Sequence, residues 1–175
     1  MTTEYLLDRE VQQVLGCLTD GNRLAVSVAL HTGLRISDVL ELKREQLGKQ
    51  FWVTEKKTGK RRQVGLPKVL LDEILVLSAG SSWAFPGAKP GTHRTRQAVW
   101  KDVKRAAAAY RIRSNAGPHS FRKVYAVDLM RKYGDIKRVQ RALRHDSPSV
   151  TMIYAMADAA LQSRRSRRAA AARRS

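Results

Sequence analysis

Acidic residues are scarce in this sequence: 15 Asp and Glu stand against 34 Lys and Arg, a formal charge of +19 over 175 residues. That imbalance counts against an enzyme of neutral small molecules and points to a polyanionic partner. Cysteine is nearly absent. Cys17 cannot form an internal bridge and, within a helical apolar pattern, reads as a small buried hydrophobe. No apolar run reaches transmembrane length and no signal-peptide pattern opens the chain, so nucleic acid fits better than a membrane and a cytoplasmic location is expected. There is no Gly-x-x-x-x-Gly-Lys-Ser/Thr loop for a nucleoside triphosphate. The histidines, at 31, 93, 119 and 145, are scattered, and carboxylates do not cluster, so neither a metal nor another cofactor is expected. Aromatics make up only 6%, with no RNA-stacking motif, which places RNA or ribosome binding last.

What is present suffices for one ordinary domain, since 43% hydrophobic content at this length can bury a core without disulfides or metals. Six arginines follow Ser163 with no acid among them; the other 28 cations share the body with all 15 acids, leaving it at +13. From Leu7 to Leu42 apolar residues recur at helical spacing, broken at Asp20-Gly21 and Thr32-Gly33, which predicts three short helices. Phe51 to Thr54 and Gln63 to Leu66 read as strands joined by a turn at Lys57-Thr58-Gly59-Lys60. Pro67 opens a helix through Leu77, a loop spans Gly80 to Gly91, and a basic helix is expected from Thr92 to Tyr110. Further helices are expected at about 119–132, 135–144 and 148–161. The expected fold class is therefore α+β: mainly α with one small antiparallel β-sheet.

Three stretches carry candidate chemistry. His119-Ser120-Phe121-Arg122 sets an imidazole and a guanidinium three residues apart at a helix start, a place that favours an anion. Thr32-Gly33-Leu34-Arg35-Ile36-Ser37-Asp38 begins a helix with an arginine whose neighbour at i+3 is an acid able to orient it. Taken alone, each reads equally as exposed basic turn or surface ion pair. His145-Asp146-Ser147-Pro148 caps a last helix carrying Tyr154, which by helical spacing alone could be core. A phenol attacks poorly unless positive charge favours its phenolate, and flanking Arg and His groups would supply that.

In this order and spacing, Thr-Gly-Leu-Arg-Ile-Ser-Asp, Lys-Thr-Gly-Lys, His-Ser-Phe-Arg and Leu-Arg-His-Asp-Ser nine residues before a tyrosine resemble the tyrosine recombinase, or phage integrase, family. The resemblance runs from about Leu7 to Ala157. It implies a catalytic domain over residues 1–161 and an Arg/Ala-rich tail at 162–175 that is disordered or docks on a neighbouring subunit; the separate N-terminal DNA-binding domain that family members usually carry is the one expected departure, since the sequence starts almost directly at the first catalytic helix. It further implies metal-free, cofactor-free cleavage and rejoining of DNA through a 3′-phosphotyrosine. Arg35 and Arg122 would clamp the phosphate, with Asp38 supporting Arg35. Lys57 would protonate the leaving 5′ oxygen, His119 would act in proton transfer, His145 would hydrogen-bond the phosphate, and Tyr154 would be the nucleophile. Lys56, Lys57 and Lys60 crowd one turn, where a shift of one residue flips a side chain across the strand; Lys57 is taken as the acid, and Lys56 and Lys60 read as contacts to the DNA backbone. Arg96, Lys101, Lys104 and Arg105 on the basic helix are further candidates for phosphate contact. The implied partners are double-stranded DNA and three further subunits, a homotetramer in the synaptic complex and a monomer when free, in a bacterial, archaeal or phage-encoded system. A type IB topoisomerase-like enzyme and a catalytically silent DNA-binding relative remain open as alternatives.

Overall fold

The computed structural model describes residues 3–143 and divides into two compact units, Met1–Tyr125 and Ala126–Ser175. The first holds α1 (Asp8–Cys17), α2 (Asp20–Thr32), α3 (Ile36–Leu40), a 3-10 turn at Arg44–Gln46, β1 (Gln50–Thr54), β2 (Arg61–Gly65), α4 (Lys68–Leu77) and α5 (Arg96–Ala109). α6 (Pro118–Tyr133) starts in the first unit, and α7 (Ile136–Leu143) lies in the second. The expected class, mainly α with a small antiparallel sheet, is what is found. Among the described residues no helix is long and apolar enough to cross a membrane.

Local chemistry sets the element boundaries. The Glu10 carboxylate accepts the Leu7 N–H at 2.8 Å, closing the first turn of α1, whose Val11 and Val14 face inward. α2 ends at Gly33, which has φ of 66° and donates its N–H to the Ala29 carbonyl at 2.8 Å. Only glycine suits this C-cap: besides the left-handed backbone, a Cβ here would meet the Tyr125 ring at 2.3 Å. α5 begins four residues later than the sequence suggests. His93 instead pairs with Pro86 in an isolated bridge, and the Thr95 hydroxyl caps the helix by accepting the Ala98 N–H at 3.1 Å.

The strands form an antiparallel hairpin with Thr54 opposite Arg61 and Gln50 opposite Gly65, each strand alternating exposed and buried side chains. Phe51, Val53 and Val64 join the core formed by α1 to α5, in which Val14, Val26, Val28, Leu34, Ile74, Phe85, Val99, Val103 and Phe121 are fully buried. Each such side chain contributes roughly 1.5–3 kcal/mol through removal from water. Cys17 is partly buried against this core and unpaired with another cysteine. In the second unit, Gly134 (φ of 63°) ends α6, and the Asp135 carboxylate accepts the Lys137 N–H at 2.8 Å to start α7, whose buried Val139 and Leu143 share one face.

Candidate active site

The Thr32-Gly33-Leu34 turn is the hub from which the site is built. The Thr32 hydroxyl donates to the Val28 carbonyl at 2.6 Å and accepts the Leu34 N–H at 3.2 Å, which fixes the turn from within. Two arginines fix it from outside: Arg62 of β2 donates to the Thr32 carbonyl at 2.9 Å, and Arg122 of α6 donates to the Gly33 carbonyl. Arg35 follows the turn directly as the N-cap residue of α3. The turn thereby sets Arg35 and Arg122, 87 positions apart in sequence, on one wall of a pocket of about 510 Å³. His119, Arg96 and Trp100 line the same pocket.

Arg122 is buried at 2% exposure, and burial foremost, with the neighbouring Arg35 charge second, pushes its pKa down to about 10. His119 is exposed at the start of α6, where Pro118 occupies the first helical position and the Ser120 hydroxyl accepts the Gly117 N–H at 3.2 Å. A helix N-terminus, an imidazole and two guanidinium groups line one cavity, an arrangement that could receive an anion, and forked arginine donors match phosphate oxygens.

Asp38 is not the surface acid of an exposed ion pair. Its side chain is 1% exposed, and burial raises its pKa. It approaches Arg35 no closer than 4.0 Å, because its Oδ1 accepts the Lys56 backbone N–H at 3.2 Å. The short contact to Arg35 comes from Glu55, which accepts Arg35 Nη1 at 2.5 Å and lies 3.3 Å from Arg62 Nε. Neither Glu55 nor Arg62 stands out in the sequence, where both sit among lysines and arginines that read as a solvated turn. The usable signal is the period of two: Glu55 continues the inward face of Phe51 and Val53, and Arg62 lies opposite Val53.

The hairpin lysines separate. Lys56 places its ammonium 2.5 Å from Glu41, whereas Lys57 and Lys60 are exposed in the turn. On α5 the four basic candidates do not form one face. Arg96 lines the pocket and Lys104 bonds Asn115 at 2.5 Å, while Lys101 is exposed on another side. Arg105 is committed to Asp102 through Nε at 3.0 Å and Nη2 at 2.6 Å, and to the Cys17 carbonyl at 2.5 Å. These contacts tie α5 to the end of α1. His145, Tyr154, the helix expected at 148–161 and the tail lie outside the described residues. Among the described residues no cluster of His, Cys, Asp and Glu could hold a metal ion.

The model of the phage integrase family matches residues 4–160. A Sinorhizobium fredii protein that carries the name integrase/recombinase y4qK is 34% identical over 152 residues, which cover 83% of this chain and 49% of that protein. The chain spans about half the length of several curated relatives that it matches. Among solved structures, the XerH site-specific recombinase in its post-cleavage complex with difH substrate superposes with a TM-score of 0.73 at 24% identity, covering 95% of this chain and 53% of that one. A lambda integrase tetramer bound to a Holliday junction gives 0.69 at 19% identity, covering 88% and 48%. With the family model spanning residues 4–160 of 175, the chain belongs to the phage integrase family.

Proposed function

We propose that this chain is the catalytic domain of a site-specific recombinase that cleaves and rejoins duplex DNA. The observation that carries the reading is the convergence of Arg35, Arg122 and His119 on one pocket within this fold. A scissile phosphate held there has its non-bridging oxygens met by two guanidinium groups, which neutralise the charge that grows as phosphorus becomes five-coordinate. Tyr154 attacks phosphorus, the bond to the 5′ oxygen breaks, and Lys57 gives that oxygen a proton. The product is a 3′-phosphotyrosine and a free 5′ hydroxyl, which re-forms the diester by attacking a partner strand's phosphotyrosine. His119 takes part in proton transfer beside the phenol, and His145 hydrogen-bonds the phosphate. The engagement of Lys56 with Glu41 supports Lys57 as the acid.

The same reading divides the chain into a catalytic domain at 1–161 and a tail at 162–175. It also takes a homotetramer as the assembly that exchanges strands, as the lambda integrase tetramer on a Holliday junction suggests. The test is a denaturing gel of the protein incubated with a duplex nicked close to the scissile phosphate, so that the released fragment diffuses away. A covalent adduct is expected, lost in Tyr154→Phe. An adduct that survives in that variant assigns the nucleophile elsewhere. Relaxation of a supercoiled plasmid lacking the target site would favour a topoisomerase-like activity instead.

A further inference from the structure

We infer that Glu55 is the positioning residue of the phosphate clamp: its carboxylate fixes the Arg35 guanidinium in register with the hairpin turn that carries Lys57. The inference rests on the recombinase reading above. Glu55 is fully buried, and its side chain is the short contact of Arg35, at 2.5 Å. One terminal nitrogen of Arg35 is thereby committed, while the guanidinium still lines the pocket. The second carboxylate oxygen faces Arg62 Nε at 3.3 Å, and Arg62 in turn holds the Thr32 carbonyl at 2.9 Å. The carboxylate therefore ties Arg35 to the turn from which Arg35 itself departs.

The backbone of the same residue closes the lysine turn. The Glu55 carbonyl accepts the N–H groups of Thr58 at 3.3 Å and Gly59 at 2.8 Å, and its own N–H donates to the Lys60 carbonyl at 3.1 Å. Lys57 lies within that loop, two residues on. A long arginine side chain has many rotamers, and a clamp that must meet a phosphate oxygen in the transition state needs one of them selected before the substrate arrives. Asp38, at 4.0 Å and bound to the Lys56 N–H, is too distant to select it. Glu55 touches no reacting atom and acts through Arg35.

The experiment measures covalent-adduct formation by the full chain on two substrate pools. Both are 5′-labelled duplexes of randomised sequence, nicked just 3′ of one fixed linkage, which is a phosphodiester in one pool and an uncharged methylphosphonate in the other. Glu55→Gln is expected to slow adduct formation on the diester by about 100-fold, as for a group displaced by an ångström or so. On the methylphosphonate, which lacks one anionic oxygen for Arg35 to meet, the penalty should shrink to within about 3-fold. In an Arg35→Lys background, Glu55→Gln should cost no more than about 3-fold, since the two act as a unit. Because Glu55→Gln leaves two arginines facing an uncharged amide, Glu55→Asp, which keeps the charge and withdraws it by one methylene, is read on the same pools and should show the same substrate dependence. A penalty equal on both substrates, or additive with Arg35→Lys, overturns the assignment and makes Glu55 a fold-stabilising acid. No adduct from the unsubstituted chain on either pool would overturn the strand-cleavage reading itself.

Discussion

Two buried charge clusters in the first unit differ in how completely they satisfy themselves. Around Asp102 the protein supplies every partner: Thr19 donates through its N–H at 3.0 Å and its hydroxyl at 3.1 Å, Asn22 at 2.7 Å, and Arg105 through two nitrogens. Despite burial, these donors pull the Asp102 pKa down to about 2. Around the Thr32-Gly33 turn the balance is reversed. Arg35, Arg62 and Arg122 face Glu55 and Asp38, the Arg122 pKa falls to about 10, and Asp38 is pushed up with its buried Oδ2 lacking a hydrogen bond. The first cluster is closed and fastens α5 to the start of α2. The second holds more positive charge than its own acids neutralise, beside an open pocket, and a phosphate would complete it.

The largest test of that difference is chemical. Arg122→Met should reduce covalent-adduct formation by about 10²–10³-fold, the loss typical of one transition-state donor, while DNA affinity in a filter-binding assay changes by less than about 5-fold because many other cations share it. Equal losses in cleavage and binding would mean that Arg122 is only a DNA contact, and the contrast with Asp102 would fail. Asp102→Ala should do the opposite. It removes the acceptor of five hydrogen bonds from a buried site and is expected to cost about 2–4 kcal/mol in urea unfolding, with the same adduct yield per folded molecule.

How much of this was legible beforehand follows a physical division. The helices through residue 42, the hairpin and the α4 start could be read because apolar period, Gly33 and Pro67 are local signals. Arg35, His119 and Arg122 could be read from short motifs whose spacing the fold only needed to bring together. Glu55 and Arg62 could not, since their importance lies in a hydrogen bond between a strand end and a helix cap twenty residues away, and in sequence they sit in a run of cations. The start of α5 was missed for a similar reason: the Pro86–His93 bridge is a tertiary pairing that overrides helical propensity in the preceding residues. The engagement of Arg105 is equally unannounced: nothing in its neighbourhood of alanines and lysines shows that Asp102, one turn earlier on the same helix, bonds its guanidinium.

Acid titration sharpens the comparison further. Asp102 has its pKa depressed from 3.8 to about 2, so the stability it contributes is fully present above pH 4 or so and is lost as pH falls toward 2, a total on the order of 2 kcal/mol. Unfolding free energy followed from pH 5 to pH 2 should therefore decline less steeply in Asp102→Asn than in the unsubstituted chain, because the asparagine has no proton to take up. Asp38 contributes with the opposite sign. Its raised pKa means the folded state binds its proton more readily than the unfolded chain, so protonating it favours folding and partly offsets the Asp102 loss. Asp38→Asn should remove that offset and steepen the decline.

The smallest expected effect is the most telling, because it concerns stability at a site built for something else. Holding Arg122 charged at neutral pH costs the folded state on the order of 3 kcal/mol by its depressed pKa, a cost that would fade only above pH 10. Arg122→Met removes that cost and keeps most of the side-chain volume, but it leaves the buried Gly33 carbonyl without this donor, a loss of about 1–3 kcal/mol. The two nearly cancel, so chemical denaturation should place Arg122→Met within about 1 kcal/mol of the unsubstituted chain. Inorganic phosphate should then distinguish the two proteins: it should raise the melting temperature of the chain that has the arginine and leave that of Arg122→Met unmoved, since an anion stabilises only the folded state that binds it. A variant as unstable as Asp102→Ala would instead make the Arg122 cluster a closed structural one, balanced without a phosphate.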